Sequence, residues 1–115
     1  MPTTTFDDLT LHETINRLNR EGFTGHFGIR ADRLRELRTG QTFRADELRI
    51  RDCFRFEEAS DPGEMAIVYA IESRTGVRGT LVDALGVYSS PAISEFITRV
   101  AIGPTDMSHS RAVAA

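Results

Sequence analysis

Arg55, Glu57, Asp61, Asp83 and Tyr88 are the residues whose types and spacing could do chemistry in this chain. Arg55 and Glu57 stand two apart in an alternating stretch, so they share a strand face and can pair with each other or across to a neighbouring strand. Asp83 lies between apolar residues, where a carboxylate needs a hydrogen-bonding partner. It could cap a loop or hold an arginine such as Arg55 or Arg78. The cluster therefore reads either as a polar network that fixes a sheet or as a site for an anionic metabolite or nucleotide. Two carboxylates alone do not establish acid–base catalysis, which needs perturbed proton affinities.

Other chemistries are excluded by type. All 14 basic residues are arginine. Without lysine no side-chain Schiff base can form, and no phosphate-loop lysine exists. A G+C-rich coding bias explains this; selection for bidentate arginine contacts is the other reading. His12, His26 and His109 lack metal-ligand spacing, and Cys53 is the one cysteine, so no metal or cofactor is expected. No G-x-S-x-G elbow and no glycine-rich phosphate loop is present. Cys53, mid-strand with Arg51 and Arg55 two residues away on either side, reads as a packing residue.

The elements that must position the cluster centre on residues 48–88. Ile50, Asp52, Phe54 and Phe56 alternate with Arg49, Arg51, Cys53 and Arg55, the pattern of an antiparallel strand with one buried face. Ser60-Asp61-Pro62-Gly63 is a turn. From Met65 to Glu72 the chain is apolar on both faces, bulky at Ile67, Tyr69 and Ile71 and small at Ala66, Val68 and Ala70, so this strand is central. Ser73-Arg74-Thr75-Gly76 closes a hairpin onto a third strand, Gly79 to Ala84, in which Gly79 marks a bulge or close backbone approach.

Helices flank this meander. Thr10-x-x-Glu13 has capping-box spacing, Leu11, Ile15 and Leu18 form one stripe, and Gly22 is suited to the C′ position. Ser90 and Pro91 open a second helix with a stripe of Ile93, Phe96, Ile97 and Val100, stopped by Gly103-Pro104. Between the first helix and the meander, Phe23, Phe27 and Ile29 are expected in an extended segment. Leu34 and Leu37 fit a short strand or a helical turn, and Thr39-Gly40 with the arginines favours an edge strand. The fold expected is α+β: an antiparallel sheet of three to four strands covered by an N-terminal and a C-terminal helix. Residues 1–104 form one domain, and 105–115 form a disordered tail.

A string of motifs runs through the same region: Phe54-Arg55-Phe56-Glu57, Ser60-Asp61-Pro62, Val68-Tyr69-Ala70-Ile71, Gly79 to Ala84, and Gly86-Val87-Tyr88, after the glycine–aromatic pair Gly22-Phe23. In this order they resemble a family of small bacterial proteins, about a hundred residues long and frequent in Bacteroidetes, often labelled phosphoribosylpyrophosphate synthetase. The resemblance covers roughly residues 10 to 100. Cys53 stands where that family has tyrosine, Glu58 where it has glycine and Leu85 where it has a second tyrosine. The label implies a pyrophosphate-binding loop and an acidic ribose-phosphate motif, neither of which this chain has, so the resemblance implies a small α+β fold and no activity.

Composition sets the partner classes. A chain of 115 residues with 40% hydrophobic and 27% charged residues has the make-up of a soluble domain, able to bury roughly 60–70% of its unfolded surface. No apolar run reaches the roughly 20 residues of a membrane span, and no secretory signal is visible. A net charge of −3 disfavours nucleic acid. One cysteine fits a reducing compartment, so the cytoplasm is expected. The expected function is a non-enzymatic binding or regulatory module engaging a protein partner or a second copy of itself.

Overall fold

The computed structural model describes residues 10–56, 66–84 and 90–102. Helix α1 (Leu11–Arg20) begins with the capping box foreseen: Thr10 Oγ1 accepts from the Glu13 N–H at 3.1 Å, and Glu13 Oε1 accepts from the Thr10 N–H at 3.0 Å. It ends in a Schellman turn. Gly22, at φ +107°, donates to the Asn19 carbonyl and Phe23 to that of Leu18. Helix α2 (Pro91–Thr98) starts at Ser90, whose Oγ accepts from the Ile93 N–H at 3.3 Å.

Seven strands form one mixed sheet. They are β1 (Gly25–Arg30), β2 (Arg33–Glu36), β3 (Thr42–Phe43), β4 (Leu48–Phe56), β5 (Ala66–Ser73), β6 (Arg78–Ala84) and β7 (Ala101–Ile102). Their order is β3-β2-β1-β6-β5-β4-β7. The β4–β5–β6 meander is as expected, with β5 between its neighbours. The expected three to four antiparallel strands are too few. The segment before the meander contributes three strands, and two of the pairings, β1 with β6 and β4 with β7, are parallel. Leu34 is in a strand, but β2 is interior, because the two-residue β3 pairs outside it. Thr98 ends α2, and residues 101–102 pair with β4.

The sheet cannot be flat. β3 and β4 are five strand spacings apart in the order, about 24 Å if laid out in a plane. Phe43 and Leu48 are five Cα steps apart, which reach no further than about 18 Å. The sheet therefore curls, and the 3-10 turn Ala45–Glu47 is the corner that brings its ends together. Inside the curl lies the larger core: Phe27, Leu34 and Phe43 from one end, Leu48, Ile50 and Ile71 from the other, with Phe96 of α2. Phe27 and Phe43 meet edge to face, their centroids 6.1 Å apart.

On the opposite face Leu18 of α1 packs with Phe54, Val68 and Ala70. The two helices thus cover opposite faces. This explains why β5 is apolar on both: Val68 and Ala70 face α1, while Tyr69 and Ile71 face the α2 side.

A bulge in β4 serves this two-sided arrangement. Ile50 pairs with Ile71 and Asp52 with Ala70, leaving Arg51 over. Alternation reverses there. Leu48 and Ile50 join the α2-side core, whereas Phe54 and Phe56 join the α1-side core. The expected single face shared by Ile50, Phe54 and Phe56 is corrected accordingly, and Cys53 and Arg55 lie on the face opposite Arg49 and Arg51.

The β1–β6 junction is narrow. Gly25 pairs with Gly79 and His26 with Thr80, after which β1 turns away to pair with β2. A Cβ on Gly79 would collide with the Gly25 carbonyl. Gly79 is a close backbone approach, one of the two roles expected for it.

Candidate functional site

The predicted cluster falls partly within the described residues. Arg55 and Asp83 flank Ile67 in register across three strands, so the fold brings both to one face, beside Tyr69 and Cys53. Glu57, Asp61 and Tyr88 lie outside the described residues. Asp83 is buried, and its Oδ1 accepts from the Ser90 N–H at 3.0 Å, so it anchors the residue that caps α2. That is the loop-capping role open to it in sequence.

The groups around Asp83 are poor acid–base catalysts. Burial first, then the neighbouring Cys53 and Asp83 charges, pushes the Tyr69 hydroxyl up to about 12. Burial, seconded by Asp52, pushes the Cys53 thiol up to about 11. Both stay protonated at neutral pH. Cys53 is a packing residue, unreactive as a thiolate.

A second polar constellation emerges on the α1 side. Ser73 fixes the hairpin between β5 and β6: its N–H donates to the Val77 carbonyl at 2.8 Å, its Oγ accepts from the Val77 N–H at 3.0 Å, and Gly76 takes φ +95°. This register sets Glu72 opposite Arg78, while β4 sets Arg49 opposite Glu72 from the other side. The bulge adds Arg51. Its Nη1 lies 3.4 Å from Glu72 Oε1, and Arg78 Nε lies 3.3 Å from Glu72 Oε2. Arg78 also lies over the Phe23 ring at 5.6 Å, on the floor left by the end of α1.

One carboxylate thus faces three arginines, and Arg74 follows on the turn. A cavity of about 400 Å³ opens here, between the 3-10 corner and the end of β5, with Arg49, Arg51 and Arg74 on its walls. Its carboxylates are committed within the molecule. Asp46 takes two bonds from Arg44, at 3.3 and 3.2 Å, Glu47 accepts from the Arg44 N–H at 2.9 Å, and Glu72 serves Arg51 and Arg78. Among the described residues, no carboxylate pairs with Arg49 or Arg74. The corner carries surplus positive charge on a chain whose net charge is −3. What it can do chemically is bind anions, through guanidinium forks that match carboxylate or phosphate. The sequence signal was present: a hairpin turn flanked by Glu72 and Arg78, and arginines at 49 and 51 at the start of the strand paired with it.

Glu36 is the other residue not singled out from sequence. It is 4% exposed, and among the described residues no guanidinium pairs with it; its carboxylate accepts from the backbone N–H groups of His26 at 3.2 Å, Arg38 at 3.1 Å and Thr39 at 2.8 Å. The Thr39 bond most of all, outweighing burial, holds its carboxyl below the usual range. Its signal was the Thr39-Gly40 turn three residues on, whose N–H groups need an acceptor.

Among the described residues no group of three or more His, Cys, Asp or Glu could hold a metal, and no helix is long and apolar enough to cross a membrane. No family model, curated protein or solved structure matches the chain.

Proposed function

We propose that this chain is a small cytoplasmic, non-enzymatic binding module that engages a protein partner through the arginine corner of Arg49, Arg51, Arg74 and Arg78. The observation that carries the reading is the in-register row Arg49–Glu72–Arg78 with the bulge residue Arg51 beside it, in which Glu72 pairs with Arg51 and Arg78 while Arg49 has no carboxylate partner among the described residues. Strands hold Arg49, Arg51 and Arg78 and the β5–β6 turn holds Arg74, so little backbone ordering is needed when an anionic surface arrives. Cys53, kept as a buried free thiol, suits the reducing cytoplasm.

The test is a quantitative pull-down from native lysate with wild type and an Arg49→Gln/Arg74→Gln double variant, alongside sedimentation of the purified chain. A partner, or a second copy, that is retained by wild type and lost in the equally stable double variant supports the reading. Equal retention by both proteins overturns it.

A second reading has its own observation. Arg55 and Asp83 share a row beside Tyr69, which would suit a small anionic metabolite or nucleotide. Thermal-shift screening against nucleotides, sugar phosphates and amino acids tests it. A shift abolished by Arg55→Ala in a folded protein would favour this reading.

A further inference from the structure

We infer that the arginine corner is one half of a track that runs across the 3-10 turn Ala45–Glu47 and takes an extended acidic protein segment; this rests on the binding-module reading above. A second cavity, of about 340 Å³, lies beyond the turn, and Arg33, Arg44 and Arg99 line it. Asp46 belongs to both cavities, so they are neighbours across a single ridge. The chain links them as well: Ala101 of β7 pairs with Arg49, and Arg99 stands two residues before it.

Around the ridge the arginines outnumber the carboxylates. Arg44 is bound to Asp46, and Arg33 lies 3.9 Å from Asp32, near the limit of an ion pair. Arg99 lies over the Phe96 ring at 5.7 Å, and among the described residues it has no carboxylate partner. Arg49 and Arg74 on one side and Arg99 on the other are exposed, and none has a carboxylate partner among the described residues. A single small anion fills one cavity and cannot engage both sets. A chain bearing anionic groups at intervals can, since extended polypeptide advances about 3.3 Å per residue over a ridge of one short turn.

The ridge also discriminates between polymers. Asp32, Asp46 and Glu47 are interspersed with the arginines. A nucleic acid, with a phosphate at every unit, would meet these carboxylates as well as a chain of net negative charge. A peptide offers N–H donors between its acidic side chains, and those donors suit the carboxylates.

The experiment uses the full chain and fluorescence anisotropy with two labelled probes, a peptide of six Glu-Ser repeats and one of two repeats. The long peptide is expected to bind more tightly than the short one, with affinity falling as salt rises. Arg49→Gln is expected to weaken both peptides, and Arg99→Gln to weaken the long one alone, each by about threefold, as exposed charge pairs do. An unchanged affinity of the long peptide for the Arg99→Gln protein overturns the track, and so does tighter binding of an oligothymidylate at the same ionic strength. If Arg49→Gln weakens binding and Arg99→Gln does not, the corner stands and the track falls. If neither does, both fall.

Discussion

Glu36 and Glu72 are carboxylates on strands of the same sheet, and they are held in opposite ways. Glu36 is sealed among backbone N–H donors that are fixed by the β2 corner, and no side-chain charge among the described residues answers it. Glu72 is 23% exposed along its side chain and is answered by guanidinium groups in excess. At Glu36 every donor and acceptor is used within the chain, so its role is to hold β1 and the Thr39-Gly40 turn together. At Glu72 the accounting is left open towards solvent. The lesson is that unanswered charge marks where a partner is proposed to bind, and burial of an ionised group marks architecture.

The contrast can be broken most forcefully at Glu36. Glu36→Ala leaves three N–H groups without their acceptor, and a loss of about 3 kcal/mol in urea unfolding is expected. A loss below about 1 kcal/mol would place Glu36 with the surface carboxylates. Acid sharpens the same point. The folded-state pKa of Glu36 lies below its unfolded value, so its ionised contribution is present above the unfolded pKa. That contribution drains away as pH falls through the folded pKa. The stability gap between wild type and Glu36→Gln should therefore narrow steadily on acidification, and a constant gap would contradict the assignment.

At the other carboxylate the expected effect is smaller. Glu72→Gln removes partners from Arg51 and Arg78, both well exposed, and should cost less than about 1 kcal/mol. The variant should regain stability when salt screens the arginines that remain, as a melting curve at two ionic strengths would show. Smallest of all, Arg49→Gln should leave the unfolding free energy within about 0.5 kcal/mol of wild type, since among the described residues Arg49 has no carboxylate partner to lose. A clear drop there would make the row structural after all.

Much of this architecture could be read in the residues, wherever the causes are local. Thr10-x-x-Glu13, Gly22, Ser90-Pro91 and the Ser73–Gly76 turn each act within a few residues, and each formed as its chemistry requires. The central place of β5 followed from apolar residues on both its faces. What escaped depends on distant partners. Parallel pairing of β1 with β6 joins positions more than fifty residues apart, and only Gly79 hinted at it. Of the predicted cluster, Arg55 and Asp83 share a face as their strand parity on either side of β5 demands, whereas the arginine corner needed the bulge, which no hydropathy pattern displays.

That bulge separates the fold from the arginine corner, because its extra residue serves only the second. Removing Arg51 alone would restore unbroken pairing and leave every downstream partner in place, Asp52 opposite Ala70 and Phe54 opposite Val68, so the aromatic layer beneath α1 would keep its side. Loss of that one codon would spare the core on both faces and cost the corner an arginine, leaving Glu72 with Arg78.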